Sequence, residues 1–155
     1  MKRLIIIFAT ILLLFSGSVW AAGTVTQATD VIDGYQRTIT FTCTGDSGDG
    51  SFPATAMSAA SLAHVKGWFL LKIAVNPGAT APTVDSDLTL TDGDGIDILD
   101  GNGTDLIHNT DSKATYGQVD GMPITQPVQD AWTLTITNNS VNSAIIVIKL
   151  TFFRI

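Results

Sequence analysis

Glutamate is absent from this chain: all fourteen acidic residues are aspartate. Glutamate favours helices, whereas aspartate favours turns and caps, so an acidic side without glutamate argues against a helical protein. Cysteine occurs once, at Cys43, which excludes an internal disulfide. A chain without disulfides holds its fold by packing, metal or oligomerisation. Basic residues are few, eight Lys and Arg against fourteen Asp, for a formal net charge of −6. A surface of that sign repels phosphate backbones and anionic lipid, which argues against nucleic acid or a membrane surface as partner. The two histidines, His64 and His108, have no second His or Cys at zinc-ligand spacing.

The one long apolar run is at the start. Lys2 and Arg3 precede an almost unbroken apolar stretch from Leu4 to Phe15, then Ser16-Gly17-Ser18 and the small-residue pattern Val19-Trp20-Ala21. That order is the pattern of a secretory signal peptide, and the apolar stretch is shorter than the ~20 residues that span a bilayer. The sequence therefore predicts a cleaved leader over residues 1–21 and one domain over residues 22–155, exported to the periplasm or beyond, with no stable membrane insertion after cleavage. Losing Lys2 and Arg3 takes the formal charge of the remaining chain from −6 to −8.

What fills the rest is alternation with a period of two. Thr38 to Thr44, Asp87 to Thr91 and Trp132 to Thr137 alternate apolar residues with polar ones, mostly threonine. Threonine is β-branched and polar, which suits the wet face of a sheet. Two runs, Trp68–Val75 and Ala144–Phe153, carry large apolar residues on both faces. Such strands lie between two layers or beneath a neighbouring subunit. The Ala-rich segment Ser58–Lys66 is the single helical candidate, and it is one element able to cover such a second face. Gly45–Gly50 reads as a loop, Asn76-Pro77-Gly78 as a sharp strand end, and Asn138-Asn139-Ser140 as a hairpin turn joining the last two strands. The fold class expected is all-β: a single antiparallel sandwich, jelly-roll-like, with at most one short helix.

The densest chemical feature is the stretch Asp92 to Ile107. Gly93-x-Gly95-x-Asp97-Ile98-Leu99 returns eight residues later as Gly101-x-Gly103-x-Asp105-Leu106-Ile107. Asp92, Asp94, Asp97 and Asp100 are candidate oxygen ligands for Ca²⁺, a hard cation that takes several oxygens from a flexible loop. The spacing fits neither an EF-hand, which wants a ligand where Ile96 stands and Gly where Asp97 stands, nor the nine-residue calcium repeat. The competing reading is a pair of Asp/Gly turns around short apolar segments, with no cofactor at all. Gly45-Asp46-Ser47-Gly48 copies a serine-protease tetrapeptide, but Asp49 follows it and both histidines come after the serine, so it reads as a surface turn. Trp68 and Trp132 lie in strand patterns and read as core. No catalytic constellation emerges, and the expectation is that the chain is not an enzyme.

The stretch Gly67 to Thr83, with Pro77-Gly78-Ala79 and Ala81-Pro82-Thr83, continues into Ser86-Asp87-Leu88-Thr89-Leu90-Thr91-Asp92-Gly93-Asp94-Gly95-Ile96-Asp97-Ile98-Leu99. Together with Leu134 to Ser140, it resembles a family of small structural proteins of tailed bacteriophages and prophages. There a strand ends in Pro-Gly-Ala and leads to a "DxTLTDxDGxDxL" segment and a Gly-rich loop. The resemblance implies a β-sandwich virion component, in the decoration, tail or fibre-associated range, that self-associates or docks on other virion or surface proteins. The second class left open is an exported bacterial binding module, Ca²⁺-stabilised or not, that contacts a glycan or a cell-surface partner. The leader reading predicts a mature N-terminus near Ala22. Intact-mass measurement of the exported protein checks this, and retention of Met1 with tight membrane association contradicts it.

Overall fold

The computed structural model describes residues 23–123 and 126–154; the predicted leader lies outside them. Eleven elements follow in order: β1 (Thr24–Val31), β2 (Gln36–Thr44), β3 (Thr55–Ala56), α1 (Ala59–Val65), β4 (Phe69–Pro77), β5 (Asp87–Thr91), β6 (Lys113–Thr115), β7 (Gln118–Val119), β8 (Met122–Pro123), β9 (Thr133–Thr137) and β10 (Ile145–Phe153). Five strands form one sheet in the order β1-β2-β10-β4-β6, three form another in the order β3-β9-β5, and β7-β8 is a small ribbon. Every named pairing is antiparallel. The described residues form an antiparallel β-sandwich of jelly-roll-like character with one short helix.

Alternation sets the layers. Ile39, Phe41 and Cys43 of β2 are fully buried, and so are Ile146, Ile148, Leu150 and Phe152 of β10. The register places Cys43 beside Ile146, Phe41 beside Ile148 and Ile39 beside Leu150, so these apolar rows run straight across the sheet. From the facing sheet come Leu88 and Leu90 of β5 and Leu134 and Ile136 of β9. Trp132 is 1% exposed and its ring lies 6.0 Å from that of Phe152, joining the two layers. The opposite face of β2 is the threonine row Thr38, Thr40, Thr42 and Thr44.

The two-sided apolar runs resolve without a third layer. In β4 the pairing with β10 shifts between Thr151 and Phe152, because Lys72 pairs with Thr151 and Leu70 with Phe152. Leu71 is the extra residue of this β-bulge and is 44% exposed, so Leu70 and Ile73 both face inward despite their odd spacing. On the outer face of β10, Ile145 lies under the Pro77–Gly78 turn. A Cβ at Gly78 would collide with it, which is why the strand end needs glycine there. Phe153 meets Phe69 at 5.7 Å between ring centres. The helix does not cover this outer face. Ser58 caps α1 by accepting from Ser61 N, Val65 is buried in the core, and Arg37 donates from Nη1 to His64 O on the core side of β2.

Two expectations need correction. Asn138-Asn139-Ser140 does not close a hairpin, because β9 and β10 belong to different sheets. The turn carries the chain across the sandwich. Asn138 and Ser143 take left-handed φ values of 62° and 54°, and the Asn139 amide donates to Gly50 O (2.6 Å) and Val141 O (3.0 Å). The first strand, β1, was not anticipated, since Thr24–Val31 is short of large apolar residues.

Phe152→Ala is expected to cost about 3–5 kcal/mol, because it empties the contact between the layers. Thr42→Val, on the outer face, is expected to stay within about 0.5 kcal/mol. Urea denaturation of the two variants measures the difference.

Candidate functional site

The Asp-rich stretch folds as turns closed by its own carboxylates. Asp92 Oδ1 accepts from the backbone N–H of Asp94 (3.0 Å) and Ile96 (2.9 Å). Asp97 does more: Oδ1 accepts from Leu99 N (3.1 Å) and Leu90 N (3.4 Å), and Oδ2 from Gly101 N (2.9 Å). Asp100 sits at a left-handed φ of 50° and its Oδ2 accepts from Gly121 N at 3.2 Å. Asp105, also left-handed at 53°, donates its N–H to Asp87 Oδ1 at 2.9 Å. Short polar side chains tolerate this conformation and bond locally, which explains aspartate at these positions. The eight-residue repeat is an anchoring device: Ile98, Leu99, Leu106 and Ile107 all enter the core.

The four candidate ligands therefore divide. Asp92 and Asp94 border an open cleft of about 240 Å³, whereas Asp97 and Asp100 are engaged elsewhere with backbone N–H groups. Gln126, Pro127, Gln129, Asp130 and Trp132 complete the cleft. Asp130 is held there by Gly93, whose N–H donates to its Oδ1 at 3.2 Å. Among the described residues no three His, Cys, Asp or Glu side chains come together as ligands for one ion. Asp130 and the two glutamines were missed in the sequence. The signal available was a polar cluster directly before a strand tryptophan.

The remaining chemical groups are occupied structurally. The Asp46 carboxylate accepts from Gly48 N (2.6 Å) and Asp49 N (3.2 Å), closing the loop that copies the protease tetrapeptide. Hydrogen bonds from the Ser51 side chain and backbone hold the Asp49 carboxyl below its ordinary range. Neither histidine bonds to Ser47: His64 Nε2 contacts Asp30 O and His108 Nδ1 faces Thr110 and Asp111. Cys43 is buried, and desolvation pushes its thiol up to about 12, so it is protonated at neutral pH and a poor nucleophile. Trp68 lies under the Arg37 guanidinium, 4.3 Å from its ring centre, and is 4% exposed. With Trp132 also enclosed, neither indole offers an open stacking platform.

No protein-family model and no curated protein matches the sequence. Among solved structures, a cupin domain from Bordetella pertussis aligns over 86% of this chain and 98% of its own, at 10% identity and a TM-score of 0.33. The expectation that the chain is not an enzyme is corrected by this match. A TM-score of 0.33 supplies no activity in its place. No helix among the described residues is long and apolar enough to cross a membrane.

Asp97→Ala is expected to destabilise the protein by about 1–3 kcal/mol, because it orphans partly buried N–H groups. Asp94→Ala is expected to be nearly neutral, and EDTA to leave the melting temperature unchanged. Thermal melts with and without Ca²⁺ check this. A calcium-dependent rise of many degrees, abolished by Asp94→Ala, is the contrary outcome.

Proposed function

We propose that this chain is a structural and interaction subunit of the kind carried by phage or prophage particles. The observation that carries the reading is the five-stranded sheet. Its outer face is a broad surface of threonine and half-buried apolar residues, Thr38 to Thr44 on β2 beside Ile145, Val147 and Phe153 on β10, and no described element covers it. An uncovered β face whose charge is confined to a few side chains, Lys72 and Lys149 among them, suits lateral packing against other subunits. The segments that resemble phage structural proteins serve the fold itself: the Pro77-Gly78 turn seats Ile145, and the Asp92–Leu99 segment plugs the sandwich. Their role within this chain is architectural.

The cleft of Asp92, Asp94, Gln126, Gln129 and Asp130 favours a second reading, an exported binding module. Its amides and carboxylates are groups that hydrogen-bond sugar hydroxyls.

Mass spectrometry of purified particles, set beside the periplasmic and culture fractions, separates the two readings. The assembly reading expects the chain in particles at a fixed ratio to other virion proteins. Its presence in the exported fraction alone overturns that reading and supports the binding module.

A further inference from the structure

The two ends of the five-stranded sheet differ. At one end β6 is three residues long. At the other, β1 is eight residues long, pairs with β2 without a shift of register, and contains no proline, lysine or arginine. Sheets ordinarily blunt such an edge with prolines, charges or bulges, since a long bare edge is a template for another strand.

The direction of its backbone groups follows from the hydrogen bonds behind it. Gly45 N donates to Ala144 O at 2.8 Å, so the odd-numbered residues of β2 face β10 and the even-numbered ones face β1. In β1 it is then Thr24, Thr26, Ala28 and Asp30 that bond to β2. The N–H and C=O of Val25, Gln27, Thr29 and Val31 point outward, and no described residue bonds to them. Thr29 and Val31 are exposed, and just past the strand Ile32 is 55% exposed and Tyr35 72% exposed.

We propose that this edge pairs with β1 of a second copy of the chain, antiparallel about a twofold axis at Ala28. The inference deepens the assembly reading and rests on it for its biological setting alone. One register uses every outward group: Val25 opposite Val31 and Gln27 opposite Thr29 of the second copy. The two Ala28 residues then meet as a non-hydrogen-bonded pair, where side chains come closest, and alanine is small enough for that approach. Charge agrees with this choice. The chain carries a net charge of −6, yet β1 contains one acid, Asp30. In this register Asp30 faces Thr26 of the second copy. The two Asp30 carboxylates stand roughly 13 Å apart along the strands, beyond the screening length of about 8 Å at physiological salt. The exposed Val31 gains an apolar neighbour in Val25, and Ile32 comes beside Thr24.

Light scattering of the purified protein at micromolar concentration, with two variants, tests the pairing. Thr29→Pro removes an outward N–H that no described residue accepts, so the fold is retained and the twofold mass falls to that of one chain. Ala28→Cys places two thiols across the axis at disulfide distance and yields a covalent dimer on mild oxidation. Ala114→Cys on the short edge strand β6 does not. The buried Cys43 thiol stays out of the readout. A monomeric wild type with no cross-link at Ala28→Cys overturns the proposal. So does a dimer that survives Thr29→Pro, and if that variant fails to fold, the contrast between Ala28→Cys and Ala114→Cys decides. A β1 dimer in a protein never found in particles leaves this inference standing and removes the virion reading.

Discussion

Strand β10 is the constraint on which the rest of the molecule depends. It pairs along its length with β2 on one side and β4 on the other, so the last strand of the chain locks the second and the fourth. Its four inward residues, Ile146, Ile148, Leu150 and Phe152, are completely buried, and Phe152 reaches Trp132 across the sandwich. The core therefore closes only when residues more than a hundred positions apart in sequence have met. With Cys43 unpaired, nothing covalent assists that closure. Hydrophobic burial along β10 supplies the stabilisation instead.

Around this frame the aspartates act as local fasteners. Asp46, Asp92 and Asp97 each accept two or more backbone N–H groups, which lets tight turns dispense with secondary structure while leaving few donors unsatisfied. Glutamate, one methylene longer, does not fit these short-range rings. Its absence from the sequence and the Asx-type turns of the structure are one fact seen at two levels. The same economy leaves Asp92, Asp94 and Asp130 bordering an open polar cleft while Asp97 and Asp100 face other work.

How much was legible in the sequence depended on period and length. Strands β2, β5 and β9 show a clean alternation with threonine outside, and each was read directly from it. The helix was legible through its alanine content, whereas the Ser58 cap emerged only from the structure. Strand β4 was legible as a strand but not in its facing, because a bulge at Leu71 shifts the phase and no local residue announces it. The Asn138–Ser140 turn was legible as a turn, but which sheet follows it is a long-range matter decided by β10 pairing with β2 and β4. The cleft was half legible: Asp92 and Asp94 stood out by density, whereas Asp130, Gln126 and Gln129 join them only through the packing of the segment before β9. The open edge of β1 had no sequence signal, since its character lies in the backbone groups left over once β2 is satisfied.

Amide hydrogen exchange tests the central claim most directly. If β10 holds the sandwich together, its amides and those of β2 facing it exchange slowest, opening only with global unfolding, while the amides of the Asp92–Asp105 turns exchange through smaller local openings. Protection of the turns equal to or greater than that of β10 would contradict the account.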